Sequence, residues 1–118
     1  MQRLILGLVF YLALASTVDA KCVGSRYSVR LGTDLNIQRT TDGTPCTHSI
    51  GSSRDPIYGI DVKSRPKHGS LVIIRRLAIV YRPTPGFKGQ DSYIFQWVGK
   101  LGGTTPSAMT MNVSVTVK

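Results

Sequence analysis

The sequence contains no glutamate, only six aspartates and only two cysteines among its 118 residues. After residue 20, no segment places apolar residues at positions i, i+3, i+4 and i+7, so no amphipathic helix is predicted. The aspartates are well separated, whereas a calcium site needs about six to eight oxygen ligands, so no calcium site is expected. The cysteines form no CxxC pair, which argues against a redox pair or a thiolate metal site.

An export signal is predicted at the N-terminus. Residues 1–3 carry one positive charge, residues 4–15 are apolar, and Val18-Asp19-Ala20 forms a small-x-small cleavage site. As a helix, the apolar run would extend only about 18 Å, against roughly 30 Å for a bilayer core, so no transmembrane segment is expected after cleavage. We expect residues 1–20 to be a signal peptide and residues 21–118 to be one domain, exported to the periplasm or the extracellular space.

The two cysteines, Cys22 and Cys46, are predicted to form a disulfide, because export places them in an oxidising compartment. The closed loop of about 25 residues would lower the entropy of the unfolded chain, which contributes about 3.5 kcal/mol on the chain-entropy model. The predicted role of both cysteines is therefore structural.

The chain is strongly basic, with 15 lysines and arginines and a net charge of +9. Removal of residues 1–20 takes away one arginine and one aspartate, so this charge is unchanged. A charge of this size favours contact with anionic polymers, lipid headgroups or nucleic acid. The alternative is a solvated surface that keeps a small exported protein soluble. No nucleic-acid reading motif is present, so no specific nucleic-acid binding is expected.

Apolar and polar residues alternate in several segments, which predicts an all-β fold. The clearest alternation covers residues 109–117, and a second includes Tyr93, Phe95 and Trp97. The polar segment 39–56 is rich in turn formers and is predicted to be a loop. Other strands are predicted at residues 27–31, 35–38, 57–63, 69–75 and 77–82. About seven short strands separated by turns are typical of an antiparallel β-sandwich.

The second half of the chain carries several motifs at fixed spacing. They are Pro66-x-His68-Gly69-Ser70-Leu71, Tyr81-x-Pro83 and Gly86-Phe87-x-Gly89-x-Asp91-Ser92-Tyr93-x-Phe95. Over residues 57–118 this pattern resembles the bacterial cadherin-like or immunoglobulin-like repeat domains. The resemblance implies an immunoglobulin-like β-sandwich, commonly a non-catalytic spacer, adhesion or recognition module. The residues of this fold signature are Gly69, Tyr81, Pro83, Phe87, Gly89, Asp91, Tyr93, Phe95 and Trp97.

The chain departs from the family pattern at two turns, where basic residues replace neutral or acidic ones. Arg75-Arg76 occupies the hairpin before Tyr81, and Gly99-Lys100 follows the aromatic strand. The predicted partner is accordingly a protein or an anionic envelope polymer. The candidate contacts for an anionic partner are Arg75, Arg76, Lys88 and Lys100.

No catalytic, metal or cofactor site is expected. Asp91 and Ser92 are adjacent on a strand and so point to opposite faces, which is wrong for a nucleophile and its orienting acid. His48 is predicted to be an exposed loop residue and His68 an exposed turn residue. Met109 falls on the buried phase of the last strand, as does Met111.

Asp91 is instead predicted to accept backbone N–H groups of a loop at the entrance of its strand.

Two functions of different class remain open. The first is a non-catalytic binding, adhesion or structural module of the cell envelope or extracellular space. The alternative is a cationic effector or inhibitor that binds anionic envelope polymers or another secreted protein.

Overall fold

A computed structural model describes residues 21–50, 53–75 and 77–118. This part of the chain folds into β-strands alone, and none of it is a helix long and apolar enough to cross a membrane. The predicted signal peptide, residues 1–20, lies outside the described residues, as does Arg76.

Eight strands are found rather than about seven. Two strands were not predicted, β1, a three-residue segment that starts at Cys22 and pairs with β2, and β3, whereas the strand predicted at residues 27–31 does not form. The strands are β1 (Cys22–Gly24), β2 (Asp34–Thr41), β3 (Cys46–Ser49), β4 (Ile57–Ser64), β5 (Gly69–Arg75), β6 (Ala78–Pro83), β7 (Gly89–Leu101) and β8 (Thr105–Val117).

The strands form two sheets. One has five strands in the order β1-β2-β8-β7-β4, and the other has three in the order β3-β6-β5. Neighbouring strands are antiparallel except β2 and β8, which pair in parallel over Asp34–Thr41. The sequence predicts antiparallel pairing throughout. Parallel pairing is reached here because the chain visits the second sheet between β2 and β8, which supplies the long crossover that parallel strands need. The prediction of an all-β fold with one disulfide is confirmed.

One core joins the inner faces of both sheets. Tyr93, Phe95 and Trp97 of β7 are buried in alternation with partly or fully exposed neighbours. Tyr81 of β6 stacks on Tyr93 across the two sheets, with ring centroids 5.1 Å apart. Full burial of a large apolar side chain contributes about 1.5 to 3 kcal/mol, so these aromatic residues supply a large part of the folding free energy. The methionines of β8 are buried, as the sequence predicts.

The strand predicted at residues 27–31 is wrong. Val29 and Leu31 are buried, but Val29 forms only an isolated bridge, to Ser53. The backbone N–H of Arg30 donates to the side-chain sulfur of Met109 in β8, at 3.2 Å, and not to a backbone carbonyl of a neighbouring strand. The alternation in this segment therefore records burial without strand pairing.

The loop predicted at residues 39–56 is also partly wrong, because β2 continues to Thr41 and β3 occupies Cys46–Ser49. A tight turn separates the two strands, in which the N–H and hydroxyl of Thr44 donate to Asp42. Only Cys46 and His48 of β3 face the core. With a histidine as one of its two inward residues, β3 lacks the apolar alternation that identifies a strand.

Candidate binding surface

Asp91 is buried, and its carboxylate accepts four hydrogen bonds. Oδ1 accepts the backbone N–H of Lys67 at 3.0 Å and that of Ser92 at 2.9 Å. Oδ2 accepts the His68 N–H at 3.1 Å and the Tyr81 hydroxyl at 2.8 Å. Burial raises the pKa of Tyr81, and the hydrogen bond to Asp91 raises it further. The carboxylate is thus occupied in joining β7 to the β4–β5 connection and to β6.

The geometry around Asp91 separates the residues from which a catalytic site would be assembled. Ser92 is exposed on the opposite face of β7 from the buried Asp91. The group of His68 that faces Asp91 is its backbone N–H. The His68 imidazole instead stacks on Phe87, with ring centroids 4.3 Å apart and an interplanar angle of 7°. The arrangement gives Asp91 a role in holding the fold.

Two signature glycines lie where another residue is disfavoured, Gly69 because a side chain would not fit and Gly89 because of its backbone conformation. A Cβ on Gly69 would lie 2.6 Å from both the Arg82 carbonyl oxygen and a ring carbon of Tyr81. The close approach of β5 to β6 at this position therefore requires glycine. Gly89 has φ 136, in the region that favours glycine, and it packs beside the Phe87 ring. Gly69 is the first residue of β5 and Gly89 the first residue of β7, so both lie where a strand begins near Asp91.

The prediction that His48 is an exposed loop residue is wrong. It lies on β3 with 2% of its surface exposed, and its Nε2 is 2.6 Å from the Tyr93 hydroxyl. Its ring also lies against Phe95, at a centroid distance of 5.2 Å. Burial, together with the smaller effect of the positive charge of Arg39, lowers the pKa of His48 to about 4. The imidazole is therefore neutral at pH 7.

The disulfide lies beside this histidine. Cys22 of β1 and Cys46 of β3 are bonded, with their Cα atoms 5.3 Å apart, which confirms the predicted pairing. A disulfide indicates an oxidising compartment, as expected for an exported protein. A polar cavity of about 320 Å³ opens at this flank and includes Tyr27, Arg39 and His48 in its lining. Because β1 and β3 are edge strands of the two sheets, this disulfide closes one flank of the molecule.

The structure does not bring the predicted anionic-partner contacts together. Asp91, near the start of β7, contacts the start of β5, so Lys88 lies at that end of the molecule. Arg75 lies at the far end of β5 and Lys100 near the far end of β7. All three side chains are exposed, and Arg76 lies outside the described residues. These positions therefore form no single basic site.

The other flank contains the edge strands β4 and β5, which are joined by only four residues. The surface of β5 is apolar: Val72, Ile73 and Ile74 are consecutive and are 43%, 47% and 46% exposed. Sequence reasoning missed this surface because sheet order, and with it the identity of an edge strand, is not encoded in a local pattern. We call the outer side of Gly69–Ile74 the β5 edge.

The β4 edge differs from the β5 edge in its chemistry. Its register with β7 shifts twice, between Ile57 and Gly59 and between Val62 and Ser64. Asp61 and Lys63 form an exposed ion pair at 3.0 Å. Bulges and charges are the features that stop an edge strand from pairing with another chain. The β4 edge is thus protected, whereas β5 keeps a regular register from Gly69 to Ile73.

Within residues 21–50, 53–75 and 77–118, no group of three or more histidine, cysteine or acidic side chains lies close enough to hold a metal ion. A scan against protein-family models and a search of curated proteins found no match to this chain.

Proposed function

We propose that this chain is a small exported immunoglobulin-like domain without catalytic activity, which acts by binding a partner in the cell envelope or extracellular space. The observation that carries the proposal is the β5 edge. It combines an exposed apolar surface with an unprotected strand edge, and such features in a small protein mark interaction sites.

The strand connectivity supports the immunoglobulin-like assignment. From β2 onwards, seven strands divide between a sheet of β2, β8, β7 and β4 and a sheet of β3, β6 and β5. Two such sheets packed around a shared core are a feature of this architecture. The resemblance over residues 57–118 supports the same assignment, and the Asp91 interactions give a structural reason for its F-x-G-x-D motif.

The charge favours a second candidate, a cationic effector or inhibitor that binds anionic envelope polymers or another secreted protein. The net charge is +9, and Asp61–Lys63 is the one ion pair in the part of the chain that the structure describes. The remaining exposed cations are available for anionic groups. Contacts of this kind are strongly screened by salt.

Binding to lipid vesicles at two salt concentrations separates the candidates. Vesicles of phosphatidylglycerol present anionic headgroups, and vesicles of phosphatidylcholine are the neutral control. The effector candidate predicts binding to the anionic vesicles that is lost in about 0.5 M NaCl, where the Debye length is roughly 4 Å. The binding-module proposal predicts little vesicle binding at either salt concentration. Both candidates would be contradicted by a reproducible hydrolytic activity that a single polar substitution abolishes.

A further inference from the structure

The backbone of β5 offers hydrogen-bonding groups to a further strand. The Thr84 N–H donates to the His68 carbonyl at 2.9 Å, which is one of the two bonds of a hydrogen-bonded antiparallel pair, while the His68 N–H donates to Asp91. Such pairs alternate with non-hydrogen-bonded pairs along an antiparallel ladder. In the unshifted register that follows, Ser70 and Val72 are bonded to β6, whereas Gly69, Leu71 and Ile73 direct their N–H and C=O groups to the outer side.

The outer side of β5 has no strand partner among the described residues, because β5 ends the three-stranded sheet. The register shift of this strand comes only after Ile73. No charged side chain interrupts Gly69–Ile74. The β5 edge is therefore long enough, regular enough and apolar enough to accept an extended segment.

The charges around the β5 edge are positive. Arg82 lies directly across from Ser70, and Arg75 follows the edge. Lys67 precedes the edge, and its backbone N–H is bonded to Asp91. Asp91 is buried and holds four hydrogen bonds, so its carboxylate does not face this surface. A second copy of this chain would bring like charge, whereas a segment with carboxylates would be attracted.

We propose that the β5 edge binds an extended polypeptide segment of apolar residues flanked by acidic ones, which adds as a fourth strand to the three-stranded sheet. The main-chain groups of Gly69, Leu71 and Ile73 supply the hydrogen bonds, and Val72 and Ile74 supply apolar contact. This inference rests on the proposed binding function and assigns it a surface and a class of partner.

The test uses fluorescein-labelled peptides of alternating valine and threonine, flanked by glutamates or by lysines, with fluorescence anisotropy as the readout. A third peptide keeps the glutamates but has a central proline, which prevents a continuous strand ladder. The expected result is that the glutamate peptide binds at least about tenfold more tightly than the other two.

Two variants locate the site. Ile73→Pro removes an outward N–H without removing a bond to β6, and Val72→Glu adds a negative charge to an exposed position. Each is expected to weaken binding of the glutamate peptide by at least about tenfold. Tyr58→Glu is the matched control, because it makes the same charge change at a 50% exposed position on the β4 edge. It is expected to leave binding within about twofold of wild type. Melting curves identify any variant that fails to fold, and Val72→Glu suffices if Ile73→Pro does not fold.

Five results would overturn the inference. Equal binding of the glutamate and lysine peptides would contradict the charge preference, and a lack of binding by all three peptides would contradict the site itself. Amide chemical-shift changes could fall outside β5, in which case the binding function stands and this surface assignment fails. Light scattering could show a dimer that Val72→Glu dissociates, in which case the edge pairs with a second copy. Salt-sensitive binding to anionic vesicles alone would favour the cationic effector and would contradict both proposals.

Discussion

The two flanks of the molecule hold their sheets together by different chemistry. On the closed flank, a covalent bond links β1 to β3 through Cys22 and Cys46. On the open flank, the connection between β4 and β5 is held by the Asp91 carboxylate, through the N–H groups of Lys67 and His68. A disulfide fixes two edge strands directly, whereas a carboxylate fixes the connecting backbone and leaves the strand edges accessible.

This difference relates the fold to the proposed function. The closed flank contains a buried polar residue, His48, beside the disulfide. The open flank has one protected edge, β4, and one unprotected apolar edge, β5. Loss of the closed flank should therefore affect stability, and changes at the β5 edge should affect binding.

Removal of the disulfide should have the largest effect on stability. The double variant Cys22→Ala, Cys46→Ala opens a loop with a sequence separation of 24. We expect its free energy of unfolding to fall by about 3.5 kcal/mol in urea or guanidinium titrations, because the unfolded chain gains entropy. Reduction of the wild-type protein should give a similar loss. A change below about 1 kcal/mol would show that the closed flank does not depend on this bond.

Breaking the carboxylate tie of the open flank should cost somewhat less. Asp91→Ala leaves the buried Tyr81 hydroxyl and two connection N–H groups without their acceptor. We expect a loss of about 2 to 3 kcal/mol in the free energy of unfolding, and faster exchange of the Lys67 amide. Asp61→Ala is the control on the same flank, since an exposed ion pair contributes less than about 1 kcal/mol. Equal losses for the two variants would contradict the role given to Asp91.

Acid should lower the free energy of unfolding, because His48 of the closed flank is buried in its neutral form. Its pKa is about 4 in the folded protein, against 6.5 ordinarily, so the unfolded chain binds more protons between these values. Its contribution to stability is therefore complete above pH 6.5 and is lost as the pH falls towards 4, by up to about 3 kcal/mol. Urea titrations between pH 4 and 6.5 should show the free energy of unfolding falling as the pH falls, and this dependence is the slope to compare between variants. His48→Leu should remove it, whereas a matched change of the exposed His68 to Leu should retain it. An unchanged slope in His48→Leu would refute this assignment.

The parts of the fold that the sequence predicts are those with local alternation. The strands β7 and β8 follow from alternating burial around Tyr93, Phe95 and Trp97 and along residues 109–117. The role of Asp91 as an acceptor of loop N–H groups was also predictable, but its partner Tyr81 was not. The hydroxyl reaches Asp91 only because the two sheets pack together.

The wrong predictions for His48 and for residues 27–31 have a common origin. They rest on two rules, that polar residues are exposed and that alternating residues pair as strands, and tertiary packing can override both. His48 breaks the first rule, because the Tyr93 hydroxyl satisfies one ring nitrogen inside the core. A signal was present, since His48 is two residues after Cys46 and so shares its face on a strand. Val29 breaks the second rule, because it is buried without a ladder. The open side of β5 follows from sheet order, which no local pattern contains.

Amide hydrogen exchange on β5 tests the open edge most directly. In the free protein, Ser70 and Val72 should exchange slowly because they are bonded to β6, whereas Leu71 and Ile73 should exchange fast. The glutamate-flanked peptide should then slow Leu71 and Ile73 selectively. If all four amides are equally protected in the free protein, the outer side of β5 is already covered, and the central claim of an unpaired, partner-binding edge is contradicted.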